Sequence, residues 1–176
     1  MNNLILIGMP ASGKSTLGVM LAKLLGYDFL DTDLLLQKRA GRHLQDILDE
    51  DGIHRFKALE EETLLSIDCT RTVIATGGSA VYSDAGMAHL SSLGTVVYLY
   101  LPLSAVEARL YNLASRGVVM EKGETLAHLY AERAALYERY AHIVFDECEG
   151  GVTRTMAENV SALYSILKDT LGKESS

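Results

Sequence analysis

Leu4-Ile5-Leu6-Ile7 is an apolar run that breaks into Gly8-Met9-Pro10-Ala11-Ser12-Gly13-Lys14-Ser15-Thr16, a loop of the form G-x-x-x-x-G-K-S. The pattern predicts a short buried strand, a turn whose backbone N–H groups converge on a phosphate, and a helix that starts with its positive end toward that anion. This is a nucleotide phosphate cradle. Gly13 must be small where the backbone passes the phosphate. Lys14 is placed to reach the β- and γ-phosphates, and the Ser15 hydroxyl to ligate Mg²⁺. Ala11, Ser12, Gly13, Lys14, Ser15 and Thr16 therefore form the predicted phosphate site.

The rest of the 176 residues carries no linker, repeat or low-complexity segment, and 48% apolar content can fill one core, so a single domain over 1–176 is expected. A net charge of −7 with scattered basic residues argues against nucleic acid or an anionic membrane as partner. The first ten residues lack a basic leader segment, and Cys69 and Cys148 show no C-x-x-C spacing. A cytoplasmic, monomeric protein with two free thiols is expected.

Helical spacing covers Ser15 to Leu25, Thr32 to Ala40, two short pieces of which the second runs from about Ile53 to Ile67, Ser83 to Ser91, Leu103 to Ala114, Glu124 to Tyr140 and Thr153 to Leu171. Strand-like runs lie at Tyr27 to Asp31, Thr72 to Thr76, Thr95 to Leu101 and His142 to Asp146. Strands alternating with helices predict an α/β fold with a parallel sheet covered on both sides, with ligands at the carboxyl ends of the strands. Those ends carry the phosphate loop, Asp31 with Asp33, and Gly77-Gly78-Ser79.

Asp31-Thr32-Asp33 sets two carboxylates where a strand leaves the sheet. One can hold Mg²⁺ through its water shell, and the other can accept a proton from an attacking hydroxyl. Both positions also suit Asp for local reasons, as turn residue and first-turn acid.

Together with the phosphate loop and D-T-D, Phe56-Lys57-Ala58-Leu59-Glu60, Ala75-Thr76-Gly77-Gly78-Ser79, Arg109, Arg116 and Glu132-Arg133-Ala134-Ala135-Leu136-Tyr137 fall in the order found in shikimate kinases. The chain resembles that family over nearly its whole length. The resemblance implies a three-layer sandwich with a five-stranded parallel sheet, a substrate-binding piece at about 32–62 and a mobile lid at about 112–124. It implies ATP and Mg²⁺, with phosphoryl transfer to a hydroxyl of a small anionic acceptor, shikimate first among candidates. By the same resemblance, Lys14, Asp33 and Arg116 are catalytic, Ser15 and Asp31 serve the metal, and Arg109 flanks the adenine. Gly77 and Gly78 approach the acceptor with backbone N–H groups, beside Lys57 and Ser79, and Arg133 pairs with its carboxylate. Read from its own helix alone, Arg133 is equally an i,i+4 partner of nearby acids.

The chain departs from the family pattern on the acceptor and lid side. Lys57 stands for Arg, which turns a bidentate fork into a point charge. Ser79 stands for a third glycine, Arg116-Gly117-Val118-Val119 for R-P-L-L, and Ala135 for proline, and no arginine near Gly150 is expected to complete the adenine pocket. The phosphate side is expected to be intact. Another polyhydroxy acid as acceptor, or a nucleotide-binding module without catalysis, are the alternatives.

Overall fold

The computed structural model describes residues 3–112, 123 and 125–173. The predicted strands form one sheet: β1 (Asn3–Ile7), β2 (Asp28–Asp31), β3 (Thr72–Ala75), β4 (Gly94–Tyr100) and β5 (Ile143–Asp146). Their order is β2-β3-β1-β4-β5, and every neighbouring pair is parallel. β1 lies at the centre with all five residues buried. Its alternating side chains divide the interior in two, as the two-residue period of a strand requires. Ile5 and Ile7 join Leu64, Met87, Leu90, Val106 and Tyr137 on one face, whereas Leu4 and Leu6 join Leu17, Leu21, Leu163 and Leu167 on the other. Helix, sheet and helix thus make the three layers.

The helices are α1 (Lys14–Leu25), α2 (Thr32–Ala40), α3 (Leu44–Leu65), α4 (Asp84–Leu93), α5 (Leu103–Asn112), α6 (Leu126–Tyr140) and α7 (Met156–Lys173). α1 and α7 cover one face of the sheet, and α3, α4 and α6 contribute to the other core. α3 is two pieces joined at Gly52, whose φ of 81° and ψ of 171° no helix accommodates. This kink is the boundary between the two short helices expected from the sequence. Leu36, Ile47 and Phe56 form a small separate core that ties α2 to α3 beside the mouth of the sheet.

The closing helix begins at Met156 rather than at the expected Thr153, because β6 (Cys148–Glu149) and β7 (Val152–Thr153) pair as an antiparallel hairpin. Gly150 and Gly151, both with positive φ, supply the tight turn. Among the described residues, no helix is long and apolar enough to cross a membrane.

Candidate active site

The end of β1 delivers the loop to α1 through Gly13, whose φ of 84° suits glycine. A Cβ there would stand 2.9 Å from Met156 Cε, a flexible side-chain end that can move aside, so the positive φ rather than packing is what favours glycine. The Lys14 ammonium donates to the carbonyls of Gly8 and Met9, each at 2.8 Å, and curls inside its own loop. It is 8% exposed, and burial lowers its pKa from 10.5 to about 8. The Ser12 side chain is buried beneath the loop, whereas Thr16 lines the cleft with Ser15.

Asp31 serves two ends of the site at once. Its Oδ1 accepts from the backbone N–H of Asp33 (3.0 Å) and Leu34 (3.3 Å), which caps α2. Its Oδ2 accepts from the Ser15 hydroxyl at 2.7 Å. Among the described residues, no group of three His, Cys, Asp or Glu is placed to hold a metal. A hydroxyl and a carboxylate in contact at the cleft suit Mg²⁺, which keeps most of its water and takes few protein oxygens.

Across the cleft, Gly77 and Gly78 are fixed by crowding. A Cβ on Gly77 would lie 2.6 Å from Asp33 Oδ1 and 2.8 Å from Glu60 Oε1; one on Gly78 would lie 2.9 Å from Pro10 Cδ and 3.2 Å from Arg133 Nη1. The Gly77 N–H donates to Thr32 Oγ1 at 3.1 Å, so this expected acceptor contact is engaged within the protein. Ser79 donates to Glu60 at 2.9 Å. Burial raises the Glu60 carboxyl from 4.5 to about 7, and that hydrogen bond opposes the rise.

Arg133 is 1% exposed, which removes it from the solvent-facing ion pairs of its own helix. Its Nε donates to the Tyr82 hydroxyl at 3.4 Å, and its guanidinium lies 5.3 Å from the Tyr82 ring centroid. Lys57 Nζ sits over the same ring at 4.6 Å. A cleft of about 630 Å³ is lined by Lys14, Ser15, Asp31 and Asp33 on one side and by Gly77, Gly78, Ser79 and Arg133 on the other. Lys57 lines a smaller recess of about 180 Å³ alongside, with Ser79 common to both.

On the nucleotide side, Ala11 has a φ of 65°, a left-handed conformation that disfavours a side chain. Arg154 stands four residues beyond Gly150. The hairpin folds it back so that Nη1 donates to the Asp146 carbonyl (2.6 Å) and Nε to Glu149 (3.2 Å). Arg109, expected at the adenine, donates to the Ala11 carbonyl (3.1 Å) and pairs with Glu147 (2.9 Å). Arg116 and nearly all of 112–124 lie outside the described residues.

Sequence motifs did not single out Tyr82 or Glu147, and they offered Glu60 only as part of a pattern. Tyr82 follows Gly77-Gly78-Ser79 by three residues in a turn of 3₁₀ helix (Ala80–Tyr82), a position the motif alone does not mark. Glu147 could have been suspected as an acid directly after the last strand of the sheet.

The shikimate kinase family model matches residues 10–164. A shikimate kinase 2 of Enterobacter sp. (strain 638) is 35% identical over 168 residues, covering 93% of this chain and 94% of the relative. A shikimate kinase from Acinetobacter baumannii, solved in complex with shikimate, superposes with a TM-score of 0.82 at 29% identity, covering 98% and 94% of the two chains. The enzyme of the same name from Aquifex aeolicus superposes at 0.77 with 28% identity, over 97% of this chain and 99% of its own.

Proposed function

The chain belongs to the shikimate kinase family, and from that premise we propose that it transfers the terminal phosphoryl group of ATP to a ring hydroxyl of shikimate, giving shikimate 3-phosphate. The observation that carries the proposal is the single cleft in which Lys14, Ser15, Asp31 and Asp33 face Gly78 and Arg133. It has a phosphate end and an acceptor end joined without a barrier.

In this reading the loop N–H groups and the α1 terminus hold the triphosphate. Lys14 exchanges its loop carbonyls for phosphate oxygens, which brings its charge to where negative charge develops. Ser15 and Asp31 would hold Mg²⁺, which would supply positive charge to offset that of the phosphates. Asp33 receives the proton of the acceptor hydroxyl while its own helix cap holds it in register. Arg133, backed by Tyr82, offers a rigid planar fork to the acceptor carboxylate. Arg116 is assigned to the developing phosphoryl charge, and the segment at 112–124 to closing over it. Most of the rate comes from positioning and charge, since the protein supplies no covalent intermediate.

One observation favours a second acceptor. Lys57 lies over Tyr82 and lines the side recess, so a carboxylate in the main cleft would be held by Arg133 with less help than a pair of arginines gives. A polyhydroxy acid of different outline would suit this arrangement. ADP release measured over a panel of polyhydroxy acids tests the choice. Turnover of shikimate well above every other acid is expected, and turnover of another acid with none of shikimate would overturn it.

A further inference from the structure

Ala11 and Arg71 are the two described residues other than glycine with positive φ. Ala11 sits in the phosphate loop, where a left-handed alanine stores strain that the surroundings must hold in place. The group that touches it is Arg109, whose Nη1 donates to the Ala11 carbonyl across 98 residues of sequence. Arg109 is held in turn by Glu147, whose Oε2 accepts from Nη2 at 2.9 Å. Glu147 is a rigid anchor. Its side chain is 0% exposed, its N–H donates to the Tyr100 carbonyl, its own carbonyl accepts from the Arg154 N–H, and Asn159 Nδ2 approaches Oε2 at 3.4 Å. Its Oε1 has no partner among the described residues. A buried carboxylate so placed is costly unless it is paired, and Arg109 is the cation that pairs with it.

We propose that Glu147 is a positioning residue: it holds Arg109 on the Ala11 carbonyl and so keeps the phosphate loop in the strained shape that receives a nucleotide triphosphate. The proposal rests on the reading of the loop as a phosphate site, and it gives Arg109 a task independent of the adenine. Without the strut the loop relaxes into conformations open to alanine at negative φ, and the competent fraction falls. Glycine at position 11 visits both signs of φ, so it removes the need for the strut.

The test uses magnesium tripolyphosphate, which has the phosphates of ATP and no base, alongside ATP itself. In Glu147→Ala both should bind roughly 5-fold more weakly, the population equivalent of the left-handed penalty of an alanine, while kcat at saturating ATP stays within about 2-fold. In Ala11→Gly, adding Glu147→Ala should change neither affinity by more than about 2-fold. Thermal melts establish that each variant is folded. If Glu147→Ala does not fold, Glu147→Gln is compared with and without Ala11→Gly by the same criterion, and a loss of affinity is expected only where residue 11 is still alanine. Weaker ATP binding with unchanged tripolyphosphate binding would overturn the proposal, because Glu147 would then act on the base. Equal losses with and without Ala11→Gly would overturn it too. A wild type that does not bind tripolyphosphate would instead count against the phosphate-site reading.

Discussion

The Ser15 hydroxyl donates to one oxygen of Asp31 at 2.7 Å while the other oxygen of that carboxylate caps α2 just ahead of Asp33. The proposed metal and acceptor sites are therefore joined through one side chain. Asp31→Asn should shift the Mg²⁺ requirement for activity to higher concentration, since an amide is a weaker ligand, and should leave the cap nearly as strong, since asparagine caps a helix about as well as aspartate. Asp33→Asn leaves that cap intact. It should lower kcat by at least ~10²-fold with nucleotide affinity nearly unchanged. Magnesium titrations and kcat for the two variants separate the roles, and identical defects would contradict the separation.

Lys14 offers a pH signature. Its pKa in the free protein lies near 8, lowered by burial, so its positive charge is present below that pH and lost above it. The value of kcat/KM for ATP, which reports the free enzyme, should fall as pH rises through about 8. The kcat should fall less, because bound phosphate holds the proton on. Lys14→Ala should lower kcat by ~10²-fold or more with an unchanged circular dichroism spectrum.

Burial shifts the Glu60 carboxyl in the opposite direction, and this gives a stability prediction. Its carboxyl is raised from 4.5 to about 7 in the fold, so over that interval the folded state keeps a proton that the unfolded chain releases. The stability it contributes is full below about pH 4.5 and is lost as pH rises through about 7. Glu60→Gln cannot ionise and still offers Ser79 an acceptor. Melting temperatures measured from acid to neutral pH should show the variant gaining on the wild type as pH rises. Parallel curves would contradict the buried-acid account.

At the acceptor end, Lys57→Arg should lower KM for shikimate. The longer, planar side chain keeps its contact with the Tyr82 face and presents two N–H groups to the carboxylate. A gain of about 1 kcal/mol, or ~5-fold in KM, is expected. A higher KM for shikimate would favour an acceptor shaped for an ammonium.

The parts of the molecule that the sequence made legible are those built from neighbours in the chain. The phosphate loop, the D-T-D turn and the kink between the pieces of α3 all depend on a few consecutive residues, and strand-like runs alternating with helical segments were enough to give the parallel sheet. What escaped depends on pairs brought together by the fold. Arg109 and Glu147 are 38 residues apart, and Lys57, Tyr82 and Arg133 meet from three different elements. No periodicity marks such contacts. Arg154 escaped because the glycine-turned hairpin reverses the chain and returns the arginine to Asp146 and Glu149.

The central claim is transfer between two ends of one cleft, and following the phosphorus tests it most directly. Protein, Mg²⁺ and shikimate are mixed with ATP labelled in its terminal phosphate, and the products are resolved by chromatography and phosphorus NMR. The account predicts that label leaves ATP only when shikimate is present and reappears in an acid-stable phosphate monoester of shikimate, one for each ADP formed. Label released solely as inorganic phosphate, at a rate indifferent to shikimate, would contradict it.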